Sequence, residues 1–350
     1  QREDTLYIAG GYAYAASAQD HITFPYLTTI DVPGLIDAVI NNNDITPYFK
    51  QVEDDIFAAT GGHLASMEDT IYLIGGHRFD GRYNPMGHNT YVQTYVNGIR
   101  KFTVDNSGAQ PTFSNYSEII DPVHLRRRDY NLVPQIFPDG SEGFMISSGV
   151  FQQNADLPFL YPVDIDQNGY YPNTSFNQYL SNYHSSILAL HHADSNEMHS
   201  IFFGGMSQYY YQNGTLIEDT QVPFVNTISR VTRYPDGSLV EYQNPQEMPG
   251  LKGASAEFFV NPDLPQNDQS VIHLEQISGD TIIAGYIVGG IYSPNENPFS
   301  NNNTGVTEAD TTIYRVKLIF DKSLSVDEID GQNPYSFDIF TNPAKDKISI

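Results

Sequence analysis

A short apolar run that ends in two glycines recurs along this sequence and constrains the fold more than any other feature. Residues 4–11 are DTLYIAGG, and residues 69–76 are DTIYLIGG. Related runs occupy residues 143–149, 200–205 and 281–290, although the first of these ends in Ser-Gly rather than in two glycines. Such a run predicts a strand buried on both faces, with an abrupt exit that glycine permits at low cost. The recurrence predicts a repeat fold, because a single repeat cannot bury its own apolar faces.

A second strand-like element follows each glycine run at a defined distance. The distance from the second glycine to a central Ile is 23 residues in three repeats: Gly76 to Ile99, Gly205 to Ile228 and Gly290 to Ile313. The corresponding distance is 19 residues in the first repeat and 14 in the third. Hairpin turns follow at 105–108, 166–169 and 234–237, and segments 62–66, 130–136, 185–190 and 254–260 predict inner strands. Four antiparallel strands per repeat are typical of a β-propeller.

The glycine-pair run and the strand that follows it resemble Kelch repeats over residues 1–330. The resemblance implies an all-β, Kelch-like β-propeller of the galactose-oxidase/Kelch superfamily. It implies five blades of four antiparallel strands, or six if a degenerate repeat lies between Gly205 and Gly289. The Trp usual in a Kelch blade is missing, since the chain contains none. The first repeat lacks an inner strand, so either residues 336–340 supply one or the first blade is more open.

Composition excludes several classes of function. The chain has 42 acidic and 17 basic side chains, and a net charge of −25 predicts no binding to nucleic acid. No apolar run is long enough to predict a membrane span. The absence of Cys removes thiolate metal sites, thiol nucleophiles and the cysteine-linked radical of galactose-oxidase-like enzymes. No nucleophile elbow and no phosphate-binding loop occurs. The start at Gln1 suits a mature N-terminus.

The last residues carry a different signal. Residues 337–350 are FDIFTNPAKDKISI. This segment resembles the opening of a type IX secretion sorting domain, in which an apolar strand, an Asn-Pro-Ala turn, a charged spacer and a second strand follow one another. We therefore expect residues 331–350 to start a sorting segment, truncated here, that engages the secretion machinery. The resemblance implies a protein secreted by a Bacteroidetes-type bacterium or held at its outer-membrane surface. A plain hairpin with an Asn-Pro turn is the alternative.

Basic residues cluster where a propeller brings loops together. Residues before the inner strands and after the glycine pairs converge at one mouth of a propeller channel. The basic and aromatic side chains at these positions form our candidate ligand site: His63, His77, Arg78, Arg82, Tyr83, Arg126, Arg127, Arg128, His184 and Lys252. Arginine suits carboxylate, sulfate or phosphate, and tyrosine rings, including those of residues 209–211, offer flat faces to sugars. The alternative is structural pairing with Asp80, Asp121 and Asp129.

Two sequence patterns are candidate metal sites, and both have a simpler structural explanation. Asp164, Asp166 and Asn168 match the start of a calcium loop, but the twelfth position is Ser175 rather than an acid. A hairpin turn explains the same residues. His191 and His192 are neighbours on a predicted strand, so they face opposite ways and cannot bind one ion together.

Two classes of function remain. The first is a non-catalytic, secreted or surface propeller that binds an anionic glycan or a protein at the channel mouth, with no cofactor except a possible calcium ion. The second is an enzyme acting on acidic sugars, such as a mutarotase, lyase or hydrolase. In that case His63, His77 or His184 would serve as acid or base while arginines hold a carboxylate. We favour binding, because no acid/base constellation stands out from the loop residues.

Overall fold

The computed structural model describes residues 1–83, 90–298 and 306–320, together with the backbone of the strand Tyr335–Thr341. The chain forms two compact units. Unit 1 comprises Gln1–Tyr130 with Val150–Asp156, and unit 2 comprises Asn131–Gly149 with Leu157–Ile350. Among the described residues, no helix combines the length and the apolar character that a bilayer crossing requires.

Unit 1 consists of short strands and one helix. They are β1 (Thr5–Ala9), β2 (Tyr12–Ala15), β3 (Asp20–Thr23), β4 (Tyr26–Asp31), α1 (Val32–Ile40), β5 (Phe49–Glu53), β6 (His63–Met67), β7 (Thr70–Ile74), β8 (His77–Gly81), β9 (Tyr91–Tyr95), β10 (Gly98–Asp105) and β11 (Thr112–Ile120). Single 3-10 turns lie at Thr46–Tyr48 and Asp55–Phe57. The strands form three sheets in the orders β1-β4-β5, β11-β10-β7-β6 and β2-β3-β8-β9.

Unit 2 is built in the same way. Its strands are β12 (Asn131–Ile136), β13 (Glu142–Ser147), β14 (Val163–Ile165), β15 (Tyr170–Pro172), β16 (Ser186–His192), β17 (Glu197–Met206), β18 (Tyr209–Gln212), β19 (Thr215–Glu218), β20 (Phe224–Arg233), β21 (Leu239–Glu247), β22 (Leu251–Ala254), β23 (Glu257–Val260), β24 (Ile272–His273), β25 (Thr281–Val288), β26 (Ile291–Ser293), β27 (Glu308–Ala309), β28 (Tyr314–Phe320) and β29 (Tyr335–Thr341). A 3-10 turn spans Leu274–Gln276. The larger sheets have the orders β12-β13-β14-β15, β21-β20-β17-β16-β24 and β23-β25-β28-β29.

The repeat predicted from the glycine runs is present as strand pairing. Each glycine strand pairs antiparallel with the element predicted to follow it: β1 with β4, β7 with β10, β13 with β14, β17 with β20, and β25 with β28. Inner strands β6, β12, β16 and β23 pair on the other side of their glycine strands. The all-β class and the four-stranded antiparallel sheets are therefore confirmed. Strand β29 lies at the outer edge of the last repeat, beside β28.

The connection after each glycine pair holds a feature that the repeat pattern did not predict. Hairpins β2-β3, β8-β9 and β18-β19, and the paired strands β26 and β27, fill the 19- and 23-residue connections. The hairpin strands form small sheets of their own, such as β2-β3-β8-β9 in unit 1. Each of these connections therefore accommodates an inserted pair of strands.

Close backbone contact explains why the strands end in glycine. A Cβ added at Gly10 would lie 2.0 Å from the carbonyl oxygen of Ala59, and one at Gly204 would lie 2.0 Å from that of Lys252. Ala59 and Lys252 belong to the segments that lead into inner strands β6 and β23. Both glycines also have positive φ, 71° and 64°. Only glycine satisfies both constraints.

The cores consist of strand side chains. In unit 1, the rings of Phe57 and Phe102 meet edge to face at 5.3 Å within a cluster that includes Leu27 and Ile71. In unit 2, one cluster surrounds Ile201 and Phe203, and a second surrounds Phe202. Successive residues of β17 thus feed different clusters, because neighbours on a strand face opposite ways.

Candidate functional site

Strand β8 separates two kinds of chemistry in unit 1. His77 and Phe79 face one side of the β2-β3-β8-β9 sheet, and Arg78 and Asp80 face the other, as the alternation of a strand requires. On the neighbouring strand, Tyr95 lies opposite His77 and Gln93 lies opposite Phe79. The sheet therefore carries aromatic side chains on one face and a charged pair on the other.

The aromatic side chains form a continuous surface. We call this surface the aromatic face and define it by Tyr12, Phe79, Tyr83, Tyr91 and Tyr95. The ring of Phe79 lies 5.6 Å from that of Tyr12 and 5.1 Å from those of Tyr83 and Tyr91. Tyr83 is 41% exposed, and its ring lies 5.3 Å from that of Tyr91. The Tyr12 hydroxyl accepts from the backbone N–H of Tyr83 at 2.7 Å and donates to the Gly81 carbonyl at 2.8 Å, which holds the backbone that carries the exposed ring.

His77 lies underneath this face. Its side chain is 3% exposed, its ring packs on Phe79 at 4.2 Å, and its Nδ1 lies 2.7 Å from Nε2 of Gln93. Burial, together with the positive charge of Arg128, lowers the pKa of His77 to about 3. His77 is therefore neutral near pH 7 and supports the aromatic rings.

Two arginines border the aromatic face. The Arg126 guanidinium lies 3.7 Å from the centroid of the Tyr95 ring and donates to the backbone carbonyls of Phe151 and Gln152. The Arg128 guanidinium donates to the Asp129 carboxylate and to the Tyr95 hydroxyl. These contacts hold both guanidinium planes against aromatic surface.

The charge of Arg128 also reaches the exposed end of the aromatic face. Burial raises the pKa of Tyr83, while the Arg128 charge acts in the opposite direction. The backbone N–H and carbonyl of Arg128 exchange hydrogen bonds with those of Val150, which fixes the loop that carries it.

Three other candidate residues of unit 1 make contacts outside the aromatic face. Arg78 forms ion pairs with Asp55 and with Asp80, and Asp80 is one of the structural partners considered in the sequence analysis. Arg127 is fully buried and donates to the His124 carbonyl. The His63 ring stacks near Tyr130 and contacts its carbonyl oxygen at 2.8 Å.

Arg82 is exposed and precedes Tyr83 directly. Its carbonyl accepts from the Thr90 hydroxyl at 2.6 Å, across residues 84–89 that lie outside the described part of the chain.

The two candidates in unit 2 occupy different surroundings. Lys252 contacts both carboxylate oxygens of Asp310 and the Tyr314 hydroxyl. Burial disfavours its charge, but the bonds to Tyr314 and Asp310 outweigh burial and raise the pKa of Lys252. His184 Nε2 lies 3.5 Å from a Glu257 carboxylate oxygen.

The calcium candidates form a hairpin turn. Asp166 Oδ1 accepts from the N–H groups of Asn168 and Gly169, which closes the β14-β15 turn. Asp164 points away from this turn and pairs with Arg233 at 2.6 Å. Each acid is therefore occupied in a different structural contact. The predicted Asn342-Pro343-Ala344 turn lies outside the described residues.

Comparison with known proteins gives structural similarity without sequence similarity. No protein-family model and no curated protein matches the sequence. The chain is similar to the solved structure of YjhT, a propeller-like protein, with a TM-score of 0.50 and 13% identity, over 97% of this chain and 81% of YjhT. This chain has an all-β, propeller-like fold. At this level of identity the likeness concerns the fold alone.

Sequence reasoning about this propeller-like chain missed two features. Tyr91 and Tyr95 are four residues apart on β9 and therefore lie on the same face of the strand, with Gln93 between them. The second missed feature is a cavity of about 260 Å³ in unit 2, between Tyr179, Tyr211 and Glu241. Burial raises the pKa of Glu241 to about 8, although its carboxylate accepts from the Tyr179 and Leu180 N–H groups. No local sequence signal marks this carboxyl group.

Proposed function

We propose that this protein binds an anionic glycan on the aromatic face of unit 1 and that it does so without catalysis. The observation that carries the proposal is the exposed Tyr83 ring, carried on backbone that Tyr12 holds and bordered by Arg126 and Arg128. A rigid aromatic surface beside guanidinium groups is suited to sugars, whose apolar ring faces stack while their acidic groups bind arginine.

The charge balance favours an acidic ligand. Asp129 pairs with Arg128, while Arg126 donates to backbone carbonyls and Arg82 is exposed beside Tyr83. His77 is neutral near pH 7 and contributes no charge, so the local excess of positive charge comes from Arg126 and Arg82. In a chain with a net charge of −25, such an excess concentrates anions locally.

The environment of the central histidine favours binding over catalysis. His77 is almost inaccessible, and a pKa of about 3 makes it a poor proton acceptor or donor near neutral pH. The alternative, an enzyme acting on acidic sugars, would therefore need His63 or His184 for proton transfer. If neither series of sugars binds, a protein ligand on the same face is the remaining candidate.

The binding experiment compares acidic and neutral sugars of equal length. Isothermal titration with uronic-acid oligosaccharides and their neutral counterparts is expected to show preference for the acidic series. Tyr83→Ala should weaken both series about two- to tenfold, the value of one aromatic contact. Arg82→Gln should weaken the acidic series alone.

Arg78→Gln is the matched control, because Arg78 lies on the opposite face of the same sheet and should leave affinity unchanged. Equal binding of acidic and neutral sugars, or an unchanged affinity of Tyr83→Ala, would contradict the proposal. NMR spectra of the sugar after incubation would reveal turnover if the chain were an enzyme.

We further propose that this is a Kelch-like propeller of five blades, one for each glycine strand, exported through the type IX machinery to the cell surface or the medium. The support is the glycine-pair repeat with its paired strands, and the sequence FTNPAKDK at residues 340–347. Fractionation of a bacterium with this export system should find the chain outside the cell, and deletion of residues 342–350, which leaves strand β29 in place, should retain it inside. Export that is unaffected by this deletion would refute the sorting role.

A further inference from the structure

Three metal-ligating side chains meet at one edge of unit 2. Strand β24 runs parallel to β16 and places His273 directly beside His191. The 3-10 turn Leu274–Gln276 follows at once and brings Glu275 to the same place. One donor atom from each of the three side chains lies within 4.8 Å of the other two.

His191 is buried without an obvious structural purpose. It is 7% exposed, and neither of its ring nitrogens has a hydrogen-bond partner among the described residues. The Asn196 amide is a further polar neighbour of the ring. A buried polar group that makes no hydrogen bond costs about 1–3 kcal/mol, so its presence requires a compensating role.

The carboxylate beside it is already oriented. Glu275 Oε2 accepts from the Ala193 N–H at 3.1 Å, and Oε1 accepts from the Gln276 amide at 3.2 Å. His273 Nδ1 lies 4.0 Å from Glu275 Oε1. Hydrogen bonds of this kind fix ligating carboxylates in metal sites and leave further lone pairs available.

We propose that His191, His273 and Glu275 bind one divalent transition-metal ion, with Zn²⁺ as the best match. Two imidazoles and one carboxylate are a common zinc ligand set that leaves a fourth position open for water or another ligand. Mg²⁺ and Ca²⁺ prefer sites made of oxygen ligands, whereas two of the three donors here are imidazole nitrogens. Tetrahedral zinc requires donor atoms about 3.3 Å apart, so the half-buried His273 and Glu275 must move inwards by about an ångström.

His192 provides an internal comparison. It follows His191 on β16 and therefore faces the other side of the strand, where its Nδ1 accepts from the Ser195 N–H. The pair that binds the metal is thus formed by residues 82 positions apart, whereas the adjacent histidines stay separate.

The experiment uses the full chain without a histidine tag, stripped of metal by a chelator. Titration with ZnCl₂ should show one strong site per chain, while MgCl₂ and CaCl₂ at the same concentrations should bind at least 100-fold more weakly. His273→Gln and Glu275→Gln should each weaken zinc binding at least tenfold. His192→Gln should bind zinc as the wild type does. Co²⁺ should give visible absorption bands in the wild type and in His192→Gln, but not in His273→Gln.

The stability of each variant in chelator, followed by circular dichroism, shows whether it is folded when zinc is added. Zinc should also raise the unfolding temperature of the wild type but not that of the ligand variants. A folded wild type that binds no zinc would overturn the proposal. Equal affinity in wild type, His273→Gln and Glu275→Gln would overturn it as well.

Discussion

A buried ion pair between two sheets of unit 2 allows the most quantitative prediction. Arg233, on β20, donates to Asp164, on β14, at 2.6 Å, and the two side chains are 6% and 14% exposed. The same guanidinium donates to Gln135 at 3.2 Å and lies over the ring of Phe137. Arg233 thus links the β12-β13-β14-β15 sheet to the neighbouring sheet.

The magnitude follows from what each substitution leaves behind. Asp164→Ala leaves the Arg233 charge buried without its carboxylate, which is expected to cost about 3–5 kcal/mol. Burial raises the pKa of Asp164 despite the attraction of Arg233, so desolvation outweighs the ion pair at this site. Replacing both partners by apolar residues, as in Asp164→Leu/Arg233→Met, should therefore cost much less. The remaining cost is about 1–2 kcal/mol, because Gln135 loses one of its hydrogen bonds.

The assay is urea unfolding at pH 7, followed by circular dichroism. It compares the wild type, Asp164→Ala, the single variants Asp164→Leu and Arg233→Met, and the double variant Asp164→Leu/Arg233→Met. Separate transitions of the two units would be fitted individually, because only a two-state step gives a valid free energy. The double variant should be more stable than Asp164→Ala. The reasoning fails if Asp164→Ala loses less than about 1 kcal/mol, or if the loss in the double variant equals the sum of the single losses.

Three further predictions concern the strand exits, a carboxyl group and the core. Gly204→Ala should destabilise the chain by more than about 2 kcal/mol, because its Cβ would collide with the Lys252 carbonyl, whereas Gly214→Ala, at a positive φ in open space, should cost about 1 kcal/mol in the same urea assay. With the pKa of Glu241 raised to about 8, the folded state holds a proton that the unfolded state releases. Stability should therefore fall between pH 4.5 and 8 by up to about 1.4 kcal/mol per pH unit, and Glu241→Gln should flatten this slope in thermal unfolding. Phe102→Ala should cost about 3–5 kcal/mol by urea unfolding, and a loss below about 1 kcal/mol would contradict the assignment of Phe102 to the core of unit 1.

Strand pairing was predictable because the repeat signal is local. Each glycine run is a short apolar segment with a backbone constraint at its end, and both properties are visible in a few residues. The contact of Gly204 with the Lys252 carbonyl shows the physical origin of that signal. The pairing of β7 with β10 followed from spacing alone.

The candidate site was less predictable, because facing directions depend on strand register. Arg78 and Arg82 fall in the same sequence window, but Arg78 faces Asp55 and Asp80 on the side away from the aromatic rings. The inserted β8-β9 hairpin decides this orientation, and its strands are too short and too polar to stand out. His191 and His273 meet only through the parallel pairing of β16 with β24, for which no local pattern exists.

The inserted hairpins also indicate where functional differences between the repeats arise. The glycine strands share an apolar character and a small-residue exit, because buried strands with a close backbone contact tolerate few side chains. Three of the connections that follow the glycine strands share a length of 23 residues, but the hairpins within them differ in side-chain chemistry. Strands β8 and β9 carry His77 and the aromatic face, while β18 carries exposed tyrosines such as Tyr211 beside the Glu241 cavity. The repeat therefore fixes the position of each hairpin, and the side chains of each hairpin fix what can bind there. An exchange of Tyr83 for Ala should accordingly change ligand binding without the loss of stability expected for Gly204→Ala, and an equal loss of stability in both variants would show that hairpin and framework are not separable.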